Sequence, residues 1–324
     1  MCSRLLWSSK LRPGDGNVLV GRSMDWFAET GTVLAVRPRG VTRKSAPNFP
    51  HDPKPFEWVS TYGSVVALMH GEAVVDGVNE SGLQVSGLYL SVSDYGTRDP
   101  ERPGLELFSA IQCLLDRFAT VEEAVKDIET QRVQLIEMRI DGKPGTGHIA
   151  LADPTGDSAI IEFLKGRTTV HHGDKYTVMT NEPEYDAQLV NLGKYEGFGG
   201  VQPLPGGVAP TDRFVRAAYY SKQLPAASDA QEAAAYVFSV IRNASAPFGI
   251  VDELHPNVSP TRWRTVTDCT ERRYFFESTR SPNVVWVELS QLDLAEGRPE
   301  LILDLVNEPD RVGNVTGEFV ASGS

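Results

Sequence analysis

The polarity pattern divides the chain into a strand-rich first third, a pair of helices, and a mixed remainder. Asn17-Val18-Leu19-Val20 and Val33-Leu34-Ala35-Val36 are short apolar, β-branched runs bounded by Gly and Pro, the mark of strands. Thr42 to Trp58 is polar and carries prolines, so it reads as loop. Ser64 to His70 and Leu83 to Leu90 read as strands. In the second, Leu83, Val85 and Gly87 fall on one face and Gln84, Ser86 and Leu88 on the other. The period then changes. Leu107, Phe108, Ile111, Leu114, Leu115 and Phe118 recur at helical spacing. Thr120 and Glu123 fit a capping box that opens a second amphipathic helix running towards Ile128.

Strands return at His148 to Leu151, Ala159 to Phe163 and Tyr176 to Met179, with Lys165-Gly166 as a hairpin turn. Glu184 to Leu192 reads as a short helix, and Gly197 to Gly207 as loop. Asp212 is the expected cap of a helix through Tyr220, and Ala230 to Arg242 is another. Trp263 to Thr267, Tyr274 to Glu277 and Val284 to Leu289 close the chain as antiparallel strands. Strand clusters separated by helix pairs, with no repeat or linker, predict one α+β domain over residues 2–324.

Composition narrows the function by exclusion. Lys plus Arg is 31 and Asp plus Glu is 43, giving a net charge of −12, which disfavours a nucleic-acid partner. No apolar run approaches the roughly 18 residues of a membrane span. The apolar stretch after Met1 is too short for a secretory signal, so the chain reads as cytoplasmic; one starting at a processed, periplasmic cysteine would look the same. The histidines at 51, 70, 148, 171, 172 and 255 show no zinc-site spacing, and no metal is expected. Gly199-Gly200 and Gly206-Gly207 lack the context of a phosphate cradle, so no nucleotide cofactor is expected either.

The candidate chemistry lies at the start. The cysteines are Cys2, Cys113 and Cys269; the latter two read as structural residues. Without Met1, Cys2 would carry both a thiol and an α-amine. A thiol reacts as its thiolate, and an α-amine titrates near ~7.7–8.0, so one residue would hold nucleophile and base. Arg22 could favour the thiolate by its charge, and Asp25 could orient the α-ammonium. Asn181, after a β-type run and before Pro183, could donate to an oxyanion or simply form a turn. Arg216 could equally be a solvated helix residue, and Met24 and Trp26 could line an acyl pocket or fill core. Asn79 reads as a turn former.

Met1-Cys2-Ser3-Arg4 and Gly21-Arg22-Ser23-Met24-Asp25-Trp26 are followed in order by five further blocks. These are Asp76 to Leu83, Met179-Thr180-Asn181-Glu182-Pro183, Asp212-Arg213-Phe214-Val215-Arg216 and Ser259 to Arg264, with Arg273 to Glu277 closing the series. In that order the chain resembles the choloylglycine hydrolase family of N-terminal-nucleophile (Ntn) hydrolases, in its Gram-negative-type branch. The resemblance implies a four-layer αββα sandwich and a cysteine amidohydrolase needing no cofactor. It implies a catalytic set of Cys2, Arg22, Asp25, Asn181 and Arg216, with Tyr89 supplying a backbone N–H. It also implies a small-molecule amide substrate and a homo-oligomer, commonly a tetramer. Penicillin V, a conjugated bile salt and an N-acyl homoserine lactone all suit this chemistry. Many bile salt hydrolases have Asn where this chain has Tyr89, as penicillin V acylases do, which favours a penicillin V acylase-like enzyme. From another class, a ligand-binding relative that lost catalysis stays open.

Overall fold

A computed structural model describes residues 1–8, 16–45, 52–140, 143–250 and 258–322. His51, His255 and the middle of the 42–58 stretch lie outside the described residues. Two sheets face one another. The seven-stranded sheet runs in the order Val178–Met179, Cys2–Ser8 (β1), Val18–Asp25 (β2), Thr261–Asp268, Arg273–Ser278, Val284–Glu288, Gly313–Asn314. The nine-stranded sheet runs Arg167–His172, Ser158–Leu164, Gly147–Ala152, Gln84–Tyr89, Ala73–Asn79, Ser64–Met69, Val33–Arg37, Leu301–Asp304, Val320–Ala321. Helices α1 (Leu107–Arg117) and α2 (Val121–Glu129) cover the outer face of the larger sheet. Helices α4 (Pro210–Gln223) and α5 (Ala230–Asn243) cover the outer face of the smaller one, and α3 (Tyr185–Leu192) packs beside α4. This is the αββα sandwich of the Ntn hydrolases.

A strand inside such a sandwich is covered on both faces. All eight residues of β2 are accordingly buried, and hydrophobic alternation disappears from its sequence. Direction survives. Gly21 faces α5, where an added Cβ would come within 2.8 Å of Val237. Arg22 and Met24 face the opposing sheet, and Asp25 faces the helical layer. Two residues three apart in a strand point to opposite sides, so the cation and the carboxyl serve different layers.

The interior between the sheets is apolar but crossed by two arginines. Arg4 and Arg22 are cross-strand neighbours in β1 and β2. Arg22 donates to the carbonyls of Val75 at 2.6 Å and Gly87 at 2.9 Å. Arg4 donates to Leu151 O at 3.1 Å and Ser158 Oγ at 3.3 Å. Burial lowers Arg4 to about 10, against small opposing effects from Cys269, Tyr185 and Asp76. The two side chains act as bolts, since removing either would leave carbonyls and a desolvated site unpaired.

Several expectations hold. The capping box at Thr120 and Glu123 is formed on both sides. Leu83 and Val85 face the α1–α2 layer and Leu88 the inter-sheet core. Asn79 Oδ1 accepts from Ser81 and Leu83 N–H, both at 3.0 Å, and its amide caps the end of α1 through Leu115 O and Phe118 O.

Two expectations change, and one strand is added. The helix expected to be capped by Asp212 begins at Pro210 with Ala209 as N-cap. A proline in the first turn gives up an N–H that has no partner there anyway, so it opens the helix ahead of the acidic residue. The stretch read as loop from Thr42 contains a small hairpin, Thr42–Lys44 with Glu57–Val59. Cys2–Ser8, a stretch for which no element is read from the sequence, is a strand held between β2 and Val178–Met179.

Candidate active site

Cys2 opens β1 and pairs directly with Met24 in β2. Its Sγ lies 3.5 Å from Met24 Sδ, and Arg22 Nη2 lies 3.8 Å from that same Met24 sulfur. Met24 Sδ is therefore in contact with both the thiol and the guanidinium. Arg22 stacks on the Trp263 ring at 4.9 Å and lies 3.7 Å from Asp76 Oδ1. Asp76 in turn accepts from Gln84, Ser86, Thr265 and Tyr274, a buried network that fixes Arg22.

Met1 closes the site. It is 4% exposed and Cys2 is 3% exposed. The Met1 amine donates to Asp25 O at 2.6 Å, and Asp25 N–H returns to Met1 O at 2.8 Å. The Asp25 side chain is fully buried. Oδ1 accepts from Thr261 Oγ1 at 2.6 Å, while Oδ2 has no hydrogen-bond partner. A buried carboxyl oxygen without a donor is costly, and marks a place where a donor belongs.

Asn181 follows the edge strand Val178–Met179. Its Oδ1 accepts the Cys2 N–H at 2.6 Å, and its Nδ2 donates to Tyr89 O at 2.6 Å. A primary amide has two N–H donors, so one remains for another acceptor. Tyr89 ends its strand half-buried, with its ring edge-on to Trp26 at 6.5 Å. Trp26 is half-buried and Met24 fully buried, on opposite sides of Asp25 in sequence.

The residue that sequence reasoning missed is Arg213. Its guanidinium donates to Cys2 O at 2.6 Å, to Asn181 Oδ1 at 2.9 Å and to Ser3 Oγ, and lies 3.5 Å from Asp25 Oδ2. Burial lowers its pKa, opposed chiefly by the charge of Asp25. Arg216, one turn on, points elsewhere. It donates to Asn243 Oδ1 and O at 3.1 and 3.2 Å and to Gly207 O at 2.5 Å, tying the end of α5 to a loop. Both arginines lie in the same five-residue block, and no pattern in the sequence marks Arg213 as the one that reaches Cys2 and Asn181.

The other thiols are inert by environment. Burial raises Cys113 to about 12, and burial raises Cys269 well above its usual value. Among the described residues, no group of three or more His, Cys, Asp or Glu is placed to hold a metal ion. No described helix is long and apolar enough to cross a membrane.

The near-terminal thiol thus has an amide, a carboxyl group and a buried cation around it. The sequence pattern of the linear amide C–N hydrolases, choloylglycine hydrolase family, matches residues 2–311, and the chain belongs to that family. It is 36% identical to a penicillin V acylase of Pectobacterium atrosepticum, over 98% of this chain and 89% of that one. It is 22% identical to a bile salt hydrolase/transferase of Lactiplantibacillus plantarum, over 91% and 95%. The fold superposes on the structure of a penicillin V acylase from Agrobacterium tumefaciens with a TM-score of 0.88 and 39% identity, covering 99% and 98% of the two chains.

Proposed function

We propose that the chain is a penicillin V acylase-like enzyme that splits an apolar acyl group from a small polar amine, with Cys2 as nucleophile once Met1 is gone. The observation that carries this reading is the 2.6 Å bond from Cys2 N to Asn181 Oδ1. It sets the future α-amine of Cys2 beside its own thiol, in a pocket of fixed dipoles. The amine takes the thiol proton, and the sulfur attacks the substrate carbonyl. The spare Asn181 N–H and the Tyr89 backbone N–H receive the developing oxyanion. The protonated amine returns its proton to the leaving nitrogen as the C–N bond breaks. Water, deprotonated by the same amine, then opens the thioester. Asp25 Oδ2 gains in the α-ammonium the donor it lacks. Arg213 holds the Cys2 carbonyl and Asn181 in register; Met24 and Trp26 border the acyl group. Residues 2–324 act as one unit, in a homo-oligomer, a tetramer by family resemblance.

The test is kcat/KM for penicillin V, a glycine-conjugated bile salt and an N-acyl homoserine lactone. Wild type is expected to cleave penicillin V at least as well as the bile salt, and Tyr89→Asn to shift the ratio towards the bile salt. Cys2→Ala removes turnover, while Cys113→Ala and Cys269→Ala keep it. Strong bile-salt preference in wild type, or turnover surviving Cys2→Ala, defeats the reading.

A further inference from the structure

We propose that Gln188, on α3, is a positioning residue for the oxyanion-binding amide of Asn181; this rests on the role of Asn181 given above.

Residues 180–182 leave the sheet edge without strand partners, so their carbonyls need donors from elsewhere. Gln188 supplies them. Its Nε2 donates to Thr180 Oγ1 at 3.1 Å, to Asn181 O at 3.4 Å and to Glu182 O at 3.2 Å. Gln188 is 1% exposed, so water does not compete. The Thr180 hydroxyl passes the restraint on to Pro210 O at 3.0 Å, the first residue of α4, whose fourth residue is Arg213. The Asn181 side chain is thus fixed from Cys2, Tyr89 and Arg213, and its backbone from Gln188.

Helix α3 is itself anchored. Both oxygens of Glu162 accept the N–H of Tyr185, the first residue of α3, at 3.0 and 3.1 Å. A negative charge at a helix N-terminus satisfies one of its orphan donors and its dipole. Tyr185 and Gln188 are three apart, so they share one face of the helix, and both are buried. The frame therefore runs from the Ser158–Leu164 strand through Glu162 and α3 to Asn181. A helix of eight residues is short for independent stability. The hydrogen bonds of its buried Gln188 side chain, all from Nε2, go to the segment that carries the oxyanion donor. Displacements near 1 Å at a reacting centre cost up to about 100-fold in rate.

The experiment is a double-mutant cycle of Gln188→Leu with Asn181→Ala. Gln188→Leu is expected to lower kcat on the order of 10-fold with little change in KM, while the alkylation rate of Cys2 stays near wild type. In the Asn181→Ala background, Gln188→Leu should add no further loss, because its effect passes through that amide. Wild-type kcat in Gln188→Leu, or losses that multiply in the double variant, overturn the proposal. Gln188→Glu guards against a Leu variant that fails to fold. Its protonated carboxyl can donate and its carboxylate cannot, so its kcat relative to wild type should rise as pH falls; a flat ratio overturns the proposal. If Asn181→Ala alone keeps full kcat, the underlying reading of the oxyanion site has failed instead.

Discussion

Met1 and Asp25 are joined backbone to backbone, amine to carbonyl at 2.6 Å and N–H to carbonyl at 2.8 Å. Met1 occupies the position at which strand β1 would continue past Cys2. Loss of Met1 leaves Asp25 with two free backbone groups and an Oδ2 that faces Arg213 at 3.5 Å without a hydrogen bond. Active protein is therefore expected to lack Met1 by intact mass. An uncleavable N-terminal extension should fold and melt normally yet give no turnover. Full activity with Met1 in place would contradict an α-amine base.

Arg213 and Arg216 offer a direct comparison. Arg213→Ala strips donors from Cys2 O and Asn181 Oδ1 and leaves Asp25 facing no cation; breaking a buried pair costs about 3–5 kcal/mol. Arg216→Ala frees the end of α5 and should cost about 1–2 kcal/mol. Assayed at a temperature where both variants are folded, Arg213→Lys is expected to lose more kcat than Arg216→Lys. The reverse order would return the catalytic role to Arg216.

Glu162 gives a pH signature. Burial alone would raise its carboxyl, but His148 and His171, 3.6 and 3.5 Å from its oxygens, and the hydrogen bond from Tyr185 N–H outweigh that and hold it at about 2, below the ordinary 4.5. A depressed folded-state value stabilises the native state above the unfolded-state value. That stabilisation is lost as pH falls through the folded value, so its window runs from about 4.5 down to about 2. Urea-unfolding free energies of wild type and Glu162→Gln should therefore converge across that window. A difference that is constant with pH would show that the charge of Glu162 does not stabilise the fold.

What was legible in the sequence follows from what each residue must satisfy locally. The α1 stripe, the Thr120 box and the alternation from Leu83 to Leu88 are set by near neighbours, and they read correctly. Strand β1 does not. Cys2–Ser8 is a strand because β2 and Met179 pair with it, partners 10 or more residues away that no local pattern encodes. The family blocks carried Cys2, Arg22, Asp25 and Asn181 to one place, yet could not tell Arg213 from Arg216. Both sit in one helical turn, and only the position of Cys2 O and Asn181 Oδ1 against that helix separates them. The contact of Met24 with both thiol and guanidinium was likewise invisible, since it depends on the cross-strand register of Cys2 with Met24.

The placement of β1 in the interior of its sheet ties reactivity to biosynthesis. The thiol lies near the start of β1, but its surroundings come from residues 24, 25, 181, 213 and 261. A nascent chain that has left the ribosome only as far as β2 carries an ordinary cysteine, with no amide beside its nitrogen and no arginine on its carbonyl. With Cys2 as the proposed nucleophile, its surroundings are complete only once the strand Thr261–Asp268 has docked against β2. On that proposal the chain would stay chemically silent until nearly all of it has been made.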